Sequence, residues 1–233
     1  ENDANTYTTN YIYSALNQLT KITDAENNIR NISYDGLGRR TQLEDLHSAA
    51  DSTFGVWDFV YDDINLISTA DPEGDATSYT YDGLNRVLTE DSDTTVGIDI
   101  TNTYDSCTNG VGQLCSVSTA DVTTTYSYWK QGLVSTSTAT IDAVAYDTNT
   151  SYNRQGQPVS VTYPNSDVVT TEYNTQGLPA EVKNNGVTQA SAVYGVHGKP
   201  EQLMQANDLT TQNTYDETDL YSLAQKITGY ASS

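Results

Sequence analysis

Cationic residues are scarce in this chain of 233 residues. Lysine and arginine number 10 against 31 aspartates and glutamates, a formal charge of −21. A field of that sign repels a phosphate backbone and excludes nucleic acid as a partner; it reads instead as the solvated acidic surface of a secreted protein. Histidine is rarer still: His47 and His197 are the only two, neither has a cysteine or second histidine at metal-ligand spacing, and both read as surface residues. No G-x-S-x-G occurs, so the hydrolase elbow is missing. Asp91 and Asp93 in DSD lack the spacing of an EF-hand. No run approaches the roughly 20 apolar residues of a membrane helix. The opening ENDANTYTTN has neither the basic nor the apolar region of a signal peptide. No cofactor and no catalytic group is expected.

What the chain has is tyrosine, 18 against Phe 2, Trp 2 and Met 1, in a background of Thr, Ser, Asn and Asp. That mixture suits half-buried strands and polar turns better than helices. The tyrosines are periodic. Tyr13, Tyr34, Tyr61, Tyr81, Tyr104, Tyr128, Tyr152, Tyr173, Tyr194 and Tyr215 head ten similar units, separated by 20 to 27 residues. A period of this size is the mark of a repeat architecture. Four residues after the tyrosine stands Gly38, Gly132, Gly156, Gly177 or Gly198, or else Asn17, Asn65 or Asn85. Glycine and asparagine tolerate positive φ, so Y-x-x-x-[GN] reads as strand end, turn and bulge of a β-hairpin. In YDSCTNGVGQLC the same turn carries four extra residues, with Gly112 in the glycine's place. Two residues before the key tyrosine, Tyr11, Ile32, Phe59, Tyr79 and Tyr126 share its face of the strand. Aspartates ten residues before it, such as Asp24, Asp71 and Asp142, mark a second turn, and Pro158, Pro179 and Pro200 start strands where a missing donor costs least. Each unit is therefore strand, turn, strand, turn. Ten units give about 20 antiparallel strands, more than a twisted open sheet carries without curling. At about 4.8 Å per strand the sheet would run to roughly 95 Å, too wide when wrapped for its own side chains to fill.

The runs YSALNQLTKITDAENN, YDGLGRRTQLED, YDGLNRVLTE and YDSCTNGVGQLCSVS resemble the YD repeats of Rhs proteins, of the C components of Tc toxins and of teneurins. The later copies, YNRQGQP, YNTQGLP and YGVHGKP, keep the tyrosine and glycine and lose the aspartate. The resemblance implies an all-β fold of tandem hairpins in a large, curled antiparallel sheet, part of a hollow spiral shell, often around a toxin cargo. It implies a shell that encloses, protects or delivers and does not catalyse. Residues 1–233 are expected to form a single array of about ten repeats, cut from a longer one, with unpaired terminal edges.

Two expectations concern particular side chains. Cys107 and Cys115, the only cysteines, flank the extra turn residues, and two glycines between them let the loop double back, so a disulfide is expected. Such a bond persists in oxidising surroundings and would place the protein outside the cytoplasm, secreted or at a cell surface. Trp57 and Trp129 are candidate glycan contacts, Trp129 beside a key tyrosine and so expected on the opposite face. The partners expected are the rest of a longer array or an enclosed polypeptide, with no membrane insertion. The alternative function is an adhesive or carbohydrate-binding module, assembling through open sheet edges.

Overall fold

The computed structural model describes residues 7–216 and 222–230, and all its regular structure is β. Its residues fall into two compact units, 1–103 with 117–121, and 104–116 with 122–233. In the first, the strands are β1 (Asn10–Tyr13), β2 (Leu19–Thr23), β3 (Asn28–Tyr34), β4 (Arg40–Glu44), β5 (His47–Ser48), β6 (Val56–Tyr61), β7 (Leu66–Ala70), β8 (Ala76–Tyr81), β9 (Val87–Ser92) and β10 (Ile100–Tyr104). Each pairs antiparallel with the next, except that β4 pairs with β6 while the short β5 lies against β3. After β11 (Leu114–Ser118), the second unit continues with β12 (Val122–Tyr128), β13 (Val134–Ile141), β14 (Val144–Tyr152), β15 (Pro158–Thr162), β16 (Val168–Tyr173), β17 (Pro179–Asn184), β18 (Val187–Tyr194), β19 (Pro200–Gln205), β20 (Leu209–Asp216) and β21 (Ser222–Tyr230). From β12 onward the pairing is again a meander of antiparallel neighbours.

The tandem hairpins follow from turn chemistry. Gly38, Gly112, Gly132, Gly156, Gly177 and Gly198 all have φ between 74° and 85°, and Asn17 and Asn85 have φ of 61°. In the first YDG turn, the amide of Gly38 donates to Asp35 O at 3.0 Å and that of Asp35 to Arg39 O at 2.9 Å, a type I turn closed by a left-handed residue. Asn65 departs from the expectation and is not left-handed. Its turn is one residue shorter, with Tyr61 opposite Leu66, where Tyr34 stands opposite Arg40. The three prolines start β15, β17 and β19, opposite the key tyrosines of the preceding strands.

The second turns include tight two-residue loops. Asn185 and Gly186 connect β17 to β18, and Asp142 and Ala143 connect β13 to β14 with φ of 49° and 62°. Both central residues of such a turn are left-handed, a conformation that costs an alanine about 1 kcal/mol or more and a glycine little. Ala143→Gly should therefore stabilise the protein by about 0.5–1 kcal/mol, read as a higher midpoint in urea. An unchanged or lower midpoint would contradict the turn assignment.

Few side chains are buried as a packed core would bury them. Among the described residues Cys115 and Tyr128 are the buried apolar side chains, at 4% and 7% exposure, and His47 and Thr211 the buried polar ones. Strand residues elsewhere are mostly half-buried. The fold therefore depends on its hydrogen-bond ladders and on contacts between successive repeats.

Candidate functional site

The repeat tyrosines act where the ladder changes register. Between the key tyrosine and the residue before it, pairing with the next strand slips at Tyr13, Tyr34, Tyr61, Tyr81, Tyr128, Tyr152, Tyr173, Tyr194 and Tyr215. A bulge of this kind leaves an extra residue on one strand and sharpens the local twist. The tyrosine hydroxyl then reaches back to the first carbonyl of the preceding strand. Tyr34 donates to Leu19 O at 3.0 Å, Tyr81 to Leu66 O at 2.7 Å and Tyr128 to Leu114 O at 2.6 Å. Tyr173, Tyr194 and Tyr215 donate to the carbonyls of Pro158, Pro179 and Pro200, each at 2.9 Å. These acceptors sit just past the preceding repeat's turn, so each hydroxyl ties one repeat to the one before it. Phenylalanine could supply the ring and not this bond, which accounts for the preference for tyrosine. Tyr61 takes part differently, with the Arg39 guanidinium 4.4 Å above its ring, and Tyr104 ends β10.

The residue after the tyrosine has its own function. Asp35 Oδ1 accepts the amides of Leu37 and Arg39 while Oδ2 accepts Arg39 Nε at 2.7 Å; Asp82 does the same with Leu84 and Arg86. The Arg39 and Arg86 amides, then their guanidinium groups, hold these carboxyls below the ordinary range against the cost of burial. Asn153 and Asn174 cap their turns through the same Oδ1, and Ser14 does so through its hydroxyl. Successive turns also touch: Arg39 Nη1 donates to Asp62 O at 2.9 Å, and Gln157 Nε2 to Gly177 O at 2.7 Å.

Left-handed geometry makes the turn glycines a direct test of this arrangement. A Cβ on Gly156 would sit 3.6 Å from Leu133 Cδ1, ordinary contact distance, so φ of 81° is the constraint and space is not. Gly156→Asn should cost under about 1 kcal/mol and Gly156→Val about 2 kcal/mol in chemical denaturation. Equal costs would place the constraint elsewhere.

The expectation that both histidines are surface residues fails for His47, which is 7% exposed. The residues between Tyr34 and Tyr61 fold back as β5 against β3, and the imidazole stacks on Phe54 with centroids 3.7 Å apart. His47 Nδ1 lies 2.9 Å from Ser48 O and Nε2 lies 3.2 Å from Glu44 Oε2. Both partners only accept, so both contacts exist together in the imidazolium form. Burial opposes that charge, but the Ser48 carbonyl and the Glu44 carboxylate, with Asp51 beyond them, outweigh it and hold His47 above its ordinary value near 6.5. Its contribution to stability is complete below that ordinary value and is lost as pH rises through the raised folded value. Glu44 titrates in the opposite sense: burial raises its pKa, and His47 and Asn31 bring it below the ordinary value, so its contribution disappears as pH falls through the lowered one. The thermal midpoint should decline as pH rises above about 6.5, and this decline should be smaller in His47→Gln. Parallel profiles for the two proteins would refute the assignment. His197 is exposed in its turn, as read from the sequence.

Cys107 and Cys115 are joined by a disulfide with Cα atoms 5.3 Å apart. The turn between them closes as the shorter turns do, with the amide of Asp105 donating to Gln113 O at 3.1 Å. Trp57 is 39% exposed on β6 in the first unit. Trp129, 47% exposed in the second, occupies the turn position that aspartate or asparagine holds in the YD and YN copies. Trp129 lies beyond the end of β12, in the turn, where strand alternation does not set its direction. Its amide donates to Leu133 O and its Nε1 to Thr150 O at 3.0 Å, so the indole spans from one turn to the next repeat. Beside it, between successive turns, lies an open cavity of about 480 Å³ that includes Tyr152 and Arg154. Among the described residues no group of three or more His, Cys, Asp or Glu could hold a metal ion.

Residues 61–96, which include YDGLNRVLTE, match the RHS repeat family model. The match is to a single stretch of about one and a half repeats and is a likeness of that stretch to the family. No curated protein sequence matches it. The whole chain is similar in fold to solved structures at low identity. A crystal structure of TcdB2-TccC3-Cdc42 superposes with a TM-score of 0.77 at 16% identity, covering 96% of this chain and 13% of that one. A crystal structure of TcdB2-TccC3-TEV gives 0.62 at 13% identity, covering 97% and 17%. The Tc holotoxin pore of Photorhabdus luminescens gives 0.56 at 13% identity, again covering 97% and 17%. The chain therefore spans about a sixth or less of the length of these chains.

Proposed function

We propose that this chain is a noncatalytic wall segment of a secreted or surface-exposed YD-repeat shell that encloses a polypeptide cargo. The observation that carries the reading is the tyrosine hydroxyl bond to the preceding repeat, present from Tyr34 in the first unit to Tyr215 in the second. In six of the ten repeats the most distinctive residue is used in this way to join one repeat to another, which is the requirement of a wall and not of an independent site. The fold likeness to TccC3-containing toxin structures supports the enclosing function, and the disulfide supports an oxidising compartment. Residues 1–233 are read as one array within a longer one. The test is limited proteolysis of the protein expressed from its full reading frame. A second polypeptide segment should remain uncut until the shell is denatured, and cleavage of every other segment under native conditions would overturn the reading.

A second reading, a carbohydrate-binding module, is favoured by Trp129. Among the described turns that follow a key tyrosine, this is the one where an exposed aromatic ring takes the place of a capping side chain, and a cavity lies beside it. Positions that break a local rule while their neighbours keep it are where function is expected.

A further inference from the structure

The groove between successive turns recurs along the array, and its chemistry changes sharply from place to place. Between the turns that follow Tyr61 and Tyr81 it is lined by Asp62, Asp63 and Asp82. Between those that follow Tyr128 and Tyr152 its lining holds no carboxylate, although the chain carries 31. It holds instead the indole of Trp129, the phenol of Tyr152, the carboxamides of Gln131 and Gln155, and the guanidinium of Arg154. We propose that this groove binds a pyranose bearing a carboxylate, as in a uronic-acid polysaccharide. The inference rests on the carbohydrate-binding reading and narrows it to one class of sugar.

The indole is positioned in advance. Its Nε1 is bound to Thr150 O, so the ring is held while about half of Trp129 remains open to solvent. The C–H face of a pyranose packs on such a ring, and the surrounding carboxamides suit its hydroxyls. Arg154 supplies the discrimination. It is exposed, and among the described residues it has no hydrogen bond, ion pair or ring contact, whereas Arg39 and Arg86 are bound to Asp35 and Asp82. A planar guanidinium takes a carboxylate in two parallel hydrogen bonds. The cavity of about 480 Å³ is within the range that holds a small ligand. A second cleft of about 450 Å³ shares Trp129 and Ser151 with it, includes Thr136, Asn149 and Thr162, and also lacks carboxylates. Together they provide length for more than one sugar residue. The net charge of −21 opposes any anion at long range, but about 0.15 M salt shortens that reach to about 8 Å and leaves the groove's own guanidinium in control.

Isothermal titration of the chain at this salt concentration, with tetragalacturonate and with the neutral galactose tetramer, tests both levels. The expected result is binding of tetragalacturonate at least tenfold tighter than of the neutral sugar. Arg154→Gln should bring the two affinities together, and Trp129→Leu should weaken both, with unchanged circular dichroism for each variant. Equal affinity for the two sugars in the parent chain would overturn the acidic-sugar assignment while leaving carbohydrate binding in place. Selective binding that survives Arg154→Gln would overturn the site. Binding of neither sugar would remove the carbohydrate reading as well.

Discussion

Tyr128→Ala should destabilise the second unit by about 3–4 kcal/mol, the range for truncating a large buried ring. Tyr128 is 7% exposed in a chain with few buried apolar side chains, so its loss cannot be shared among neighbours in a deep core. Two further effects separate it from an ordinary large-to-small change. Its hydroxyl donates to Leu114 O, and its amide donates to Thr108 O inside the disulfide-closed turn, so the residue fixes that turn from both ends. Tyr128→Phe keeps the ring and leaves the Leu114 carbonyl without this donor, and should cost about 1–2 kcal/mol. Tyr146, 44% exposed on β14, is the control, and its replacement by alanine should cost under about 0.5 kcal/mol. Urea denaturation of the three variants decides the matter, and equal costs at Tyr128 and Tyr146 would show that the repeat tyrosine has no special role.

Removal of the disulfide, as Cys107→Ala with Cys115→Ala, should cost about 2–3 kcal/mol, chiefly by freeing the unfolded chain. The short loop of eight residues' separation gives the lower part of the usual range. Gly110 provides an independent measure of the bond. A Cβ there would lie 2.3 Å from Cys107 Sγ and 2.7 Å from Cys115 Sγ, so Gly110→Ala forces the bridge or the backbone to move. The substitution should cost about 1–3 kcal/mol in the oxidised protein and distinctly less when both cysteines are alanine. Identical costs in the two backgrounds would show that the sulfurs do not set the packing of Gly110. Two free thiols per unreduced, denatured molecule from the native source would remove the bond itself and the argument for export.

The period, the hairpins and the disulfide were legible because each follows from local rules. Gly177 must stand where φ is 77°, and Cys107 and Cys115 flank a turn that glycine allows to double back. The hydroxyl acceptors were not legible, because Leu66 O and Pro179 O belong to a different strand from the tyrosines they bind and no side chain marks a carbonyl. His47 looked exposed because it lies in an insertion. Its burial depends on Phe54 and on pairing with β3, a tertiary contact that spacing does not encode. Asn65 has the residue type of a left-handed position, but its turn is one residue shorter and does not need one. Trp129 is exposed, and the end of its strand at Tyr128 was not legible because a turn position and a strand position carry the same residue types there.

The register slip at nine of the ten key tyrosines, with its turn, also makes the array tolerant of error in length. Where strands run on without bulges, a single inserted residue reverses inside and outside for everything downstream. Here a repeat sets its alignment afresh at its own turn, so a change of length is absorbed within the repeat that carries it. The four extra residues before Gly112 illustrate this, since the closing bond from Asp105 to Gln113 is the one made from Asp35 to Arg39 in the shorter turn. An array constructed in this way can lengthen a turn, acquire a disulfide or exchange a capping side chain for an indole at one place while its other units stay in phase. New surface chemistry can thus arise locally, one turn at a time, on a scaffold that does not have to be redesigned around it.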